Sequence, residues 1–171
     1  MTGVQEGVRR YLVLVVEMLA GPGAGEQLYR LSQRQPSRFS YVVPATKPSY
    51  GWTWTEEQAA EDARERLDMM LGFGKELGMD VEGYLYGEAD PVGAVRGVAA
   101  AAESAYDELI VIDHPKGINK WLAASAIGQL ESDPGLPITH LEADPFMAQG
   151  KRFDREAYQR LFEEHRRRLQ G

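Results

Sequence analysis

Two short runs, Tyr11-Leu-Val-Leu-Val-Val16 and Leu109-Ile-Val-Ile112, limit what this chain can fold into, because neither contains a charged residue at any position. A strand with one wet face alternates apolar and polar side chains, whereas an unbroken apolar run needs cover on both sides. Both runs are therefore expected in the middle of a sheet with helices above and below. Strand and helix patterns alternate along the rest of the chain. That order demands parallel strands joined by right-handed crossovers, a three-layer α/β fold that is doubly wound.

The punctuation between these elements is mostly local. Gly21-Pro-Gly-Ala-Gly25 is read as a break after the first strand, followed by a short helix from Glu26 to Gln35 that Pro36 stops. Arg38 to Ala45 reads as a second strand. Thr55-Glu-Glu-Gln58 is a capping box opening a helix whose apolar stripe includes Ala63, Leu67 and Met70, with Glu61, Asp62, Arg64, Glu65 and Arg66 expected outward. Gly78 ends that helix, and Val81 to Gly87 alternates as an edge strand does. Asp90-Pro91 is an N-cap followed by proline at the first helical position. After the second apolar run a helix is expected from about Asn119 to Leu130, then a fifth strand from Leu136 to Leu141 and a last helix from Asp154.

Composition narrows the function. The chain of 171 residues has no cysteine, which removes disulfides, thiolate metal sites and cysteine nucleophiles and fits a cytoplasmic location. No run reaches the ~18 apolar residues of a membrane span, and Met1 to Arg10 lacks the apolar core of a signal peptide. The net charge of −7 opposes generic nucleic-acid binding, which needs clustered Lys and Arg. From Lys151 to Gly171, however, seven basic residues face four acidic ones. This tail is expected to form a solvated helix docked on its own domain or on a second copy. No Gly-x-Ser-x-Gly elbow occurs, and the three histidines, His114, His140 and His165, form no sequence-close metal pair. No catalytic residue, metal or cofactor is expected.

The element order, together with Asp107-Glu-Leu-Ile-Val-Ile-Asp-His-Pro-Lys-Gly-Ile-Asn-Lys-Trp-Leu122 and Gly135-Leu-Pro-Ile-Thr-His140, resembles the universal stress protein family, in particular its divergent actinobacterial-type members. The resemblance covers about residues 10–143. It implies a Rossmann-like five-stranded parallel sheet in the order 3-2-1-4-5, a domain over residues 1–145 with a helical tail over 146–171, and a homodimer formed through strand 5 around Ile138 and Leu141. It also implies a stress-response role through partner or small-ligand binding. ATP-binding members carry Gly-x2-Gly-x9-Gly-Ser/Thr after strand 4, where bare backbone approaches phosphates. Placing Ser125 on the final hydroxyl puts Val111, His114 and Ala124 on the three glycines, so ATP binding in that manner is disfavoured. The family's acidic residue at the end of strand 1 corresponds to about Glu17.

The polar residues Asp113, His114, Lys116, Gly117 and Asn119 leave strand 4 at the expected switch point, and with Glu17 and Ser125 they are the candidate ligand contacts. Lys116 would offset an anion's charge, Asn119 would cap the next helix, and His114 would titrate near neutrality. The competing reading is a polar loop with a capping asparagine. A nucleotide-binding switch for ATP or AMP, using Lys116, Asn119 and Ser125, is the alternative function. Gly21 to Gly25 is either a structural turn or an imperfect dinucleotide loop, with Glu26 where a glycine would stand. Tyr50, Trp52 and Trp54 either anchor a long loop or stack on a planar ligand.

Overall fold

The computed structural model describes residues 7–15, 21–44, 55–86, 90–113, 124–142 and 155–171. Five strands, β1 (Arg9–Val15), β2 (Ser37–Pro44), β3 (Asp80–Tyr86), β4 (Glu108–Asp113) and β5 (Ile138–Glu142), alternate with α1 (Gly21–Arg34), α2 (Glu56–Glu76), α3 (Pro91–Ala101) and α4 (Ala124–Ser132). A fifth helix, α5 (Arg155–Gln170), follows. All pairings are parallel and the order is β3-β2-β1-β4-β5. The central register sets Val13 opposite Tyr41 on one side and Ile110 on the other.

Alternation along β1 sends its side chains into two separate cores. Tyr11, Val13 and Val15 lie with Phe39, Tyr41 and Ile110 beneath α1, α2 and α5, which contribute Leu28, Phe73 and Phe162. Leu12 and Leu14 lie with Val42, Leu109 and Val111 beneath α3 and α4, which contribute Val95 and Leu130. Leu12 through Val15 are 0% exposed, which only a strand covered on both faces achieves. The Tyr11 and Phe39 rings stack with centroids 5.0 Å apart, and burial pushes the Tyr41 phenol well above its ordinary range.

The local signals hold. Thr55 Oγ1 accepts from the Gln58 amide at 3.1 Å while Gln58 Oε1 accepts from the Thr55 amide at 3.0 Å, the reciprocal box that opens α2. Asp90 Oδ1 accepts from the Val92 amide at 3.1 Å, with Pro91 behind it at the start of α3. Gly78 takes φ +75° just beyond α2, a left-handed conformation that glycine adopts without a Cβ penalty.

Two expectations are corrected. Gly21 to Gly25 is not a turn but the beginning of α1. Pro22 sits in the first turn, where an amide has no intrahelical partner anyway, so it does not break the helix. Gly25 has a packing reason: a Cβ there would lie 2.7 Å from Cε1 of Phe73, so its absence lets α1 and α2 approach. Arg66, expected to point outward, is buried at 3% exposure. It stands three residues after Ala63 and four before Met70, on the same inward stripe.

Gly25→Ala is expected to lower unfolding free energy by about 1–3 kcal/mol through overpacking against the Phe73 ring. In contrast Gly72→Ala, inside α2 with nothing within 4 Å of the added Cβ, is expected to raise it by about 0.5–1 kcal/mol. Urea unfolding of the two variants checks both signs.

Candidate functional site

The two ends of the sheet differ chemically. At the amino end the charges are engaged with each other. Arg9 Nη2 donates to Glu108 Oε2 at 3.0 Å, and Glu108 also accepts a very short hydrogen bond from Thr139, so β1, β4 and β5 are tied together. The backbone amide of Arg10 donates to Asp107 Oδ2 at 2.8 Å, while its guanidinium lies 4.8 Å over the Tyr106 ring and donates to the Ser104 carbonyl. On β2 and β3, Glu82 accepts from Ser40 at 2.6 Å and from Arg38 at 2.9 Å. These contacts fix strand order and register, leaving few charges at that end free for a ligand.

At the carboxyl end of the sheet β1 and β4 precede helices of opposite layers, since α1 belongs to one core and α4 to the other. The position between two such strands is the usual ligand site in sheets of this topology. Val15 and Ile112 are the last pair between β1 and β4, and α1 begins at Gly21.

Of the seven sequence candidates, the structure places two by backbone. Asp113 is the last residue of β4, in register with Glu142 of β5, and Ser125 lies in the first described turn of α4. Glu17, His114, Lys116, Gly117 and Asn119 lie outside the described residues, as do Tyr50, Trp52, Trp54 and Trp121. Val111, which stands on the first glycine of the family's phosphate motif, is fully buried among Leu12, Leu14 and Leu130. Its side chain is a structural part of the α3/α4 core. Among the described residues no group of three or more histidines, aspartates or glutamates is placed to hold a metal ion, and no helix is long and apolar enough to cross a membrane.

Sequence reasoning missed a cluster on the opposite face. Glu26 of α1 accepts from Arg30 at 2.8 Å and from Arg168 of α5 at 2.9 Å, with Nδ1 of His165 at 3.3 Å. Burial alone would raise the Glu26 carboxyl, but the hydrogen bonds from Arg30, Arg168 and His165 outweigh it and hold the group below its ordinary value. Only the Glu26–Arg30 spacing of four residues was visible in the sequence. The rest depends on where α5 docks.

No family model matches the chain, and no curated protein does. Solved structures do. A universal stress protein family member from Burkholderia pseudomallei matches with a TM-score of 0.52 and 17% identity, over 77% of this chain and 94% of that one. The chain has the universal stress protein fold. A universal stress protein in complex with cAMP matches at TM-score 0.48 and 13% identity, over 81% of this chain and 100% of that one. A triple mutant of a deacetylase from the teicoplanin biosynthetic pathway matches at 0.50 and 11%, over 85% of this chain and 68% of that one. The universal stress protein fold is consistent with the 3-2-1-4-5 order.

Glu82 gives this fold an acid-dependent term. Burial would raise its carboxyl, but Ser40 and Arg38 more than offset that, so the folded value lies below the ordinary 4.5. A depressed folded pKa contributes stability that is complete above the unfolded value and is lost as pH falls through the folded one. Glu82→Gln is therefore expected to lower stability by roughly 1 kcal/mol at neutral pH and to make the decline below about pH 4 shallower. Urea midpoints measured across that range check both effects.

Proposed function

We propose that this protein is a non-enzymatic, cytoplasmic module that works as a homodimer in stress response, taking a protein partner or a small ligand at the crevice between β1 and β4. The observation that carries the reading is the parallel order β3-β2-β1-β4-β5, which sets the only change of winding direction at that crevice. The charged residues described at the amino end support it further, because they are engaged with one another. Asp113, His114, Lys116, Gly117, Asn119, Ser125 and Glu17 are the proposed contacts, on the sequence argument that they leave the strand ends there.

A phosphate cradle is not part of this reading. Phosphate-binding loops rely on bare backbone amides, and the residues at the three glycine positions are Val111, His114 and Ala124. Purified protein is expected to show no melting shift with millimolar ATP, ADP, AMP or cyclic AMP. Ligand at about 100 times its dissociation constant would add about 2.7 kcal/mol, a shift of several degrees. A shift of that size would replace the reading with a nucleotide-binding switch. Native mass spectrometry of the small molecule carried from the cell would identify the ligand class directly.

For dimerisation, β5 is one of the two edge strands, paired only with β4 among the described residues, and unpaired edges are templates for a second chain. Ile138 and Leu141 are each half-buried against the cores. Replacing either by lysine is expected to halve the mass seen by sedimentation while far-ultraviolet circular dichroism is retained. An unchanged sedimentation coefficient with native spectra would remove β5 as the interface.

A further inference from the structure

Helix α5 is attached differently from the central strands. The central strands are held by uninterrupted apolar burial, whereas the one buried side chain among the described residues of α5 is Phe162, at 6% exposure, with Leu161 and Leu169 half-buried. Phe162 meets Phe73 of α2 edge to face at 4.8 Å. The remaining described contacts are polar. Arg168 and His165 reach Glu26 on α1, Arg166 lies 3.1 Å from Glu76 on α2, and Gln170 donates to the Glu76 carbonyl at 3.1 Å.

We propose that α5 is a releasable strap, docked on α1 and α2 by an ionic latch centred on Glu26, and that it undocks as a unit without the sheet unfolding. Glu26 keeps Arg30, a residue of its own helix, when α5 leaves, and Glu76, which gives up Arg166, is 56% exposed and returns to water. Arg168 is 63% exposed and His165 22%, so both regain water at little cost. One aromatic anchor, two half-buried leucines and a charge cluster make a contact of the low-stability kind, in which local opening is decoupled from global unfolding. Nη2 of Arg168 is shared, lying 2.9 Å from both Glu26 and Nδ1 of His165, so two side chains of α5 converge on one carboxylate oxygen. Removing the Glu26 charge therefore weakens both links at once.

Hydrogen exchange of the full chain, read by mass spectrometry, tests this. Amides of residues 155–170 are expected to exchange faster than those of residues 11–15 and 109–112 in the unmodified protein. Glu26→Gln is expected to accelerate the α5 amides about tenfold and leave the β1 and β4 amides unchanged. Arg168→Gln, at an exposed position, provides a second variant that keeps the α1 sequence intact, and the same direction is expected. Raising salt from roughly 0.01 M to roughly 1 M, which shortens the screening length from about 30 Å to about 3 Å, is expected to accelerate α5 selectively as well. Exchange of α5 at the rate of β1 and β4 would overturn the strap. A variant that speeds all elements equally, or leaves α5 unaffected, would overturn the latch.

Discussion

Burial of β1 and β4 on both faces governs the rest of the structure. Residues 12–15 and 109–111 have no accessible surface, and side chains alternate between two cores, so each core needs its own layer of helices. Parallel pairing then requires every connection to cross over through a helix, and the handedness of those crossovers assigns α1 and α2 to one face and α3 and α4 to the other. The central strands do not merely sit in the core. They dictate that there are two of them.

The same constraint polarises the sheet. Where the strands begin, acidic and basic residues on neighbouring strands are close enough to pair, and they do so through Arg9 with Glu108 and Arg38 with Glu82. Such pairs lie partly exposed and contribute modestly to stability, but opposite charges placed diagonally across neighbouring strands favour one alignment over its neighbours. Where β1 and β4 end, the helices that follow them belong to different layers. One end of the sheet is therefore held by self-complementary charge, and the other carries the change of winding direction.

How much of this could be read from sequence depended on whether the signal was local. The Thr55 to Gln58 capping box and the Asp90-Pro91 start are contained within four residues, and both stand as expected. The apolar runs gave the central strands for the same reason. Gly21 to Gly25 misled because glycine and proline are penalised in an isolated helix, while the compensating contact, Phe73 against the bare Gly25, comes from a residue almost fifty positions away. Arg66 misled because charge was weighed above position, although its spacing from Ala63 and Met70 already set it inward. Of the candidate site, the positions of Asp113 at the end of β4 and of Ser125 in α4 were legible. The Glu26 cluster was not, since its partners are some 140 residues apart in the chain.

Glycine use links the fold to the functional reading. In a phosphate-binding version of this architecture, bare backbone is needed after the fourth strand. Here that strand carries Val111, whose side chain fills the α3/α4 core, so restoring glycine there would leave a cavity as well as an opening. The glycines lie instead at the start of α1, where Gly25 brings α1 against α2 through Phe73, and Phe73 in turn receives Phe162 of α5. The close approach of α1 and α2 thus prepares the surface on which α5 docks. A substitution at Gly25 would act first on that helix packing and only through it on the crevice, which separates the structural role of these glycines from any role in holding a ligand.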